Sequence, residues 1–107
     1  AIRVNGKPDP RQIFAPHGYD LVVDTPAMQA PSNSRAASIF TRHRETQLQL
    51  NIPAIVTEWG AFAHYDSALT HGRFLLDLFE GWGWGHAYWC YTEDFFEVPA
   101  RDLFGTR

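Results

Sequence analysis

The chain has 107 residues, 20% of them charged, and a formal net charge of −3, so it is long enough for one small domain and lacks the basic excess that nucleic acid or anionic lipid would require. No stretch approaches the roughly 18 uninterrupted apolar residues of a membrane span, and the single Cys90 excludes an internal disulfide framework. Aromatic residues make up 15% of the chain, and each brings a large area to bury.

Residues 1–12 (AIRVNGKPDPRQ) are polar and rich in turn formers, and read as a loop or the remnant of a hairpin. The chain opens on Ala1 rather than Met, which leaves room for an N-terminal region with its own signal. The run I-F-A-P-H-G-Y at 13–19 predicts a short buried strand that delivers its end into a loop. Pro26, Pro31, Ser32 and Asn33 mark residues 20–33 as a long connection. Ser34 is expected to cap a helix over 35–50, with Ala36, Ile39, Phe40, His43, Gln47 and Leu50 near one face. N-I-P at 51–53 ends it. A-I-V-T at 54–57 predicts a second buried strand, and it ends on Glu58 beside Trp59. A second helix follows over 67–81, with Phe74, Leu75, Leu78 and Phe79 in the core and Gly81 as its stop. H-A-Y-W-C-Y at 86–91 predicts a third strand.

The order strand, helix, strand, helix, strand, with short apolar strands, indicates an α/β fold around a parallel sheet. Three strands leave two open apolar edges, a liability that complete folds avoid. Residues 1–107 therefore read as a single piece of something larger.

In parallel α/β folds the chemistry gathers where strands end. The strand ends here supply His17 and Tyr19, then Glu58 and Trp59, then Trp89 with Tyr91 or Glu93. A carboxylate, an imidazole, a phenol and indoles on one rim suit sugar chemistry, because pyranose faces pack on indole rings. Each residue also has a plainer role open to it. Glu58 alone is compatible with a structural carboxylate capping the next segment, His17 with a core histidine, and Trp89 with a core indole. Burying an ionised Glu without partners costs several kcal/mol, so Glu58 calls for partners in either role.

Other chemistries fit less well. G-W-G-W-G at 81–85 follows a helix and precedes a strand, the reverse of a dinucleotide loop. There is no Gly-x-Ser-x-Gly elbow, and Cys90 lies in a strand without an evident base. His17, His43, His64, His71 and His86 lack close metal-ligand spacing, so no metal is expected. Glu93, Asp94 and Glu97 read as a solvated acidic loop rather than a calcium site.

Taken together, P-H-G-Y at 16–19, V-T-E-W-G at 56–60 and Y-W-C-Y at 88–91 resemble the last three strands of glycoside hydrolase family 5, the cellulases and endoglycoceramidases. The A-P-H-x-Y-D stretch at 15–20 is most similar to endoglycoceramidase-like members. The resemblance implies the C-terminal portion, about strands six to eight, of a (β/α)8 barrel. It implies Glu58 as the nucleophile of a retaining β-glycosidase, with Tyr19 as its hydrogen-bond partner and His17 beside it. It implies Trp89, and less directly Trp59, as substrate-binding indoles, with Trp59 equally suited to packing against the barrel wall. No cofactor is implied. The substrate would be a glucan, a glycolipid or another β-glycoside, and the family leans toward secreted or extracytoplasmic proteins.

One feature departs from the family. Its acid/base glutamate follows an Asn at the end of the fourth strand, and no Asn-Glu dipeptide occurs here. Hydrolysis with retention needs two carboxyl groups about 5–5.5 Å apart. The expected partner is therefore the missing N-terminal part of the barrel, or another copy of the chain. A non-catalytic carbohydrate-binding or interaction module using the same aromatics remains the alternative reading.

Overall fold

The computed structural model describes residues 2–23, 25–61 and 68–90. The expected positions of Tyr91, Glu93 and the acidic loop lie outside the described residues. Two short strands, β1 (Arg3–Val4) and β2 (Lys7–Pro8), pair antiparallel as the hairpin that the turn-rich start suggests. A one-turn 3-10 helix (Pro26–Gln29) interrupts the long connection. Then follow α1 (Asn33–Leu50), β3 (Ile55–Gly60), α2 (Ala68–Trp82) and β4 (Gly85–Trp89). Among the described residues the fold is mixed α/β, with two α-helices and two small sheets, of which the β3–β4 sheet is parallel.

The boundaries differ from expectation in ways with physical causes. Ser32, not Ser34, caps α1, because Ser32 has extended backbone and its hydroxyl accepts the Arg35 N–H at 3.2 Å. Ser34 lies inside the first turn, with its hydroxyl 2.9 Å from that of Ser32. Asn51 closes α1 in the left-handed region at φ 54°, where its short polar side chain is tolerated. Helix α2 runs through Gly81 to Trp82, and Gly83 makes the turn instead.

The run at 13–19 is not a regular strand. It touches β3 through two isolated parallel bridges, Phe14 with Ala54 and His17 with Glu58. The backbone bonds nevertheless continue along it: Phe14 N–H to Pro53, Ile55 N–H to Phe14, Thr57 N–H to Pro16 and Gly18 N–H to Glu58, all between 2.9 and 3.1 Å. Pro16 has no N–H to give, which is one reason the ladder is irregular there. β3 thus lies between this segment and β4.

Helices cover one face of that sheet. Phe40 of α1 and Phe79 of α2 meet edge to face at 4.9 Å, and Phe79 meets Trp59 of β3 at 5.4 Å. Val56, Trp59, Phe40 and Phe79 are all fully buried. On α2, Leu75 is buried as expected, while Phe74 and Leu78 are only partly covered. At the start of the strands Gln47 joins three elements. Its side chain donates to the Ile52 carbonyl at 2.7 Å and accepts from the Trp84 indole at 3.2 Å. Trp84, part of the glycine-rich run, is therefore core rather than a loop for phosphate. The other face of the sheet is open, with Ile13 56% and Trp89 54% exposed. No helix among the described residues is long and apolar enough to cross a membrane.

Candidate functional site

The register of β3 against β4 pairs Val56 with His86 but Trp59 with Tyr88, so β3 carries one extra residue between these points. Strict alternation would put residues 56 and 58 on one face. The bulge instead lets Val56 and Trp59 both be buried, and turns Glu58 away from the helices. Glu58 is 32% exposed at its side chain and so stays within reach of solvent.

Its neighbours come from the segment alongside. The Tyr19 hydroxyl donates to Glu58 Oε2 at 2.7 Å, a short, charge-assisted bond across 39 positions of sequence. His17 Nδ1 lies 3.6 Å from the same oxygen, too long for a good hydrogen bond but close enough to act electrostatically when protonated. One hydrogen-bond donor and one imidazole thus converge on a single carboxylate oxygen.

The loop that carries Tyr19 is anchored by the next residue. Asp20 is 2% exposed and accepts from Arg35 Nε at 2.8 Å, Arg35 Nη2 at 3.1 Å, Ser32 N–H at 2.6 Å and Val22 N–H at 3.2 Å. Burial by itself pushes the Asp20 carboxyl up, but the Arg35 guanidinium and the two N–H donors outweigh it and hold the carboxyl below its ordinary value. Sequence reasoning did not single out Asp20 as an anchor. The signal was present: an acidic residue just before a long Pro-rich connection, with an Arg in the first turn of the next helix.

On the other side of β3, Trp89 ends β4 and is 54% exposed. β4 alternates, with Gly85, Ala87 and Trp89 exposed and His86 and Tyr88 turned toward Trp59. Gly60 pairs with Trp89 at a φ of +119°, and a Cβ there would come within 2.5 Å of the Tyr88 ring and 2.8 Å of the Trp89 carbonyl. The glycine of V-T-E-W-G thus lets β4 approach. The Trp89–Cys90 peptide is cis.

Of the two roles open to Trp59, substrate contact or packing against the wall, the structure has the second: the indole is fully buried between Phe79, His86 and Tyr88. It packs the wall between sheet and helices. The parallel pairing brings His17, Tyr19, Glu58 and Trp89 to the same end of the sheet, and Trp59 is the one member of the expected set turned inward.

A polar hollow of about 420 Å3 at the start of α1, lined by Pro31, Ser32, Asn33, Ser34, Thr70 and His71, shares no residue with the Glu58 cluster. Within it, His71 Nδ1 lies 2.6 Å from Asn33 Oδ1 and ties α2 to α1. Its role is to join helices. Comparison of the chain with protein-family models, with curated proteins and with solved structures gives no match.

Proposed function

We propose that Glu58 is the nucleophile of a retaining β-glycosidase of the family 5 type, in which this chain forms about strands six to eight of a (β/α)8 barrel. The observation that carries the reading is the Tyr19 hydroxyl on Glu58 Oε2 at 2.7 Å, at the end of a parallel strand with His17 beside it. That bond fixes the orientation of the carboxylate that would attack. Glu58 would attack the anomeric carbon and expel the aglycone, which a second carboxyl group protonates. Water would then cleave the glycosyl-enzyme with inversion at the same carbon, for net retention. The exposed indole of Trp89 gives a sugar ring an apolar platform at the same strand end.

Among the described residues no other carboxylate is available as the second carboxyl group. Among the described residues the other carboxylates are Asp9, Asp20, Glu45, Asp77 and Glu80. Asp20 is committed to Arg35, Asp9 to Arg11 at the hairpin, and the rest are exposed on helices. A parallel sheet is ordinarily covered on both faces, and the open face here carries Ile13 and Trp89. We place the remaining barrel strands, or another copy of the chain, on that face. The same deficit favours the second reading, a carbohydrate-binding module that holds a sugar on Trp89 without turnover.

The test uses the complete protein with an aryl β-glycoside. Glu58→Gln keeps the shape but removes the attacking charge, so turnover should fall by several orders of magnitude while sugar binding survives. Glu58→Ala should regain partial turnover with azide and yield the α-glycosyl azide. Near-normal activity in Glu58→Gln would make the carboxylate structural. Sugar binding by the wild type with no hydrolysis would favour the binding module.

A further inference from the structure

Helix α1 reaches the Tyr19 segment from behind. His43 Nε2 lies 3.0 Å from the His17 carbonyl oxygen. A carbonyl only accepts, so Nε2 carries the hydrogen and donates. The other half of that peptide group, the Gly18 N–H, donates to the Glu58 carbonyl at 3.0 Å. The His17–Gly18 peptide is therefore gripped on both sides, by a helix and by the strand that bears Glu58. The His43 ring has little freedom of its own, since Phe14 and Phe40 meet it edge-on at 5.9 and 6.2 Å. The next side chain along is Tyr19, whose hydroxyl must reach Glu58 at 2.7 Å.

We propose that His43 is a positioning residue for the Tyr19–Glu58 pair: its hydrogen bond to the His17 carbonyl fixes the peptide from which Tyr19 extends. His43 acts through the backbone and not on the reacting atoms. Without its donor, the peptide keeps only the Gly18–Glu58 bond and gains freedom to rotate, which carries the phenol away from Oε2. The local effect rests on these contacts alone. The effect on turnover rests on the glycosidase reading above.

The experiment compares His43→Phe with His43→Gln in the complete protein. Phe keeps a ring between Phe14 and Phe40 and removes the donor, whereas the Gln amide nitrogen stands where Nε2 stood. Amide exchange at Gly18 and the hydroxyl proton resonance of Tyr19 read the contact without any substrate. In His43→Phe, Gly18 exchange should rise about tenfold, the equivalent of one hydrogen bond, while amides inside α1 and α2 hold their rates. The Tyr19 hydroxyl resonance should move or broaden, and His43→Gln should keep both wild-type features. With an aryl β-glycoside, His43→Phe should lower kcat about tenfold and leave KM unchanged, as misplacement of a reacting group does. Unchanged Gly18 exchange and Tyr19 resonance in His43→Phe would overturn the proposal, as would equal loosening in His43→Gln. An unchanged kcat in a wild type that turns over would overturn it as well. Absence of hydrolysis in the wild type would instead count against the glycosidase reading, and the two resonances would then decide the role of His43 by themselves.

Discussion

Gly18 has no room for a side chain. A Cβ built there would overlap the ring of Phe40, which is fully buried against Phe79. Gly81, by contrast, has nothing within 4 Å of where its Cβ would go, although it lies inside α2. The two substitutions to alanine should therefore have opposite signs. Gly18→Ala should cost about 1–3 kcal/mol through overpacking. Gly81→Ala should gain up to about 1 kcal/mol from reduced freedom of the unfolded chain. Urea unfolding of both variants checks the pair, and destabilisation of similar size at both positions would contradict the packing described. Because Gly18 lies between His17 and Tyr19, its replacement should also disturb the contact with Glu58. The glycine of P-H-G-Y thus serves the approach of helix to strand.

At the level of elements, helix capping offers a direct measurement. Ser32→Ala removes the acceptor for the Arg35 N–H and should cost about 0.5–2 kcal/mol, whereas Ser34→Ala should change stability by a few tenths at most. Equal effects would return the cap to Ser34. The helices were legible in the sequence because their apolar spacing is strong, and the core positions Ala36, Phe40, Leu75 and Phe79 are buried as that spacing requires. Their ends were less legible, since Ser32 and Ser34 are chemically alike and only backbone geometry separates them. The second strand was legible as a buried run at 54–57, but its course to Gly60 and its bulge were not. An extra residue in a ladder leaves no mark in composition, and it decides that Trp59 faces the core while Glu58 does not. The nearness of Glu58 and Tyr19 followed from the assumption of neighbouring strand ends, while the choice between the two roles open to Trp59 had to wait for the bulge.

Across the whole molecule, stability should depend on pH in a defined sense. Burial pushes His71 and His86 below their ordinary 6.5, opposed by the Asp20 carboxylate at His71 and by Glu80 at His86, with the Arg35 guanidinium pushing His71 further down. The unfolded chain then takes up protons more readily than the folded one. Their contribution is complete above pH 6.5 and is lost as pH falls from there through their folded values. Asp20, held below its ordinary 3.8, adds a second loss as pH falls through its folded value. The urea midpoint should therefore decline in two stages between neutral and strongly acid pH, and His71→Asn should shrink the first. A midpoint that rises between pH 6.5 and 5 would contradict this sign. The bonds from Gln47 to Ile52 and from Trp84 to Gln47 lie at the start of the strands, the opposite end from Glu58. The contacts at both ends are carried by the same stretches of chain, with Gln47 one turn from His43 on α1 and Ile52 just ahead of β3, which carries Glu58. A substitution that shifts α1 or β3 at one end is therefore felt at the other, so the two ends are constrained to change together.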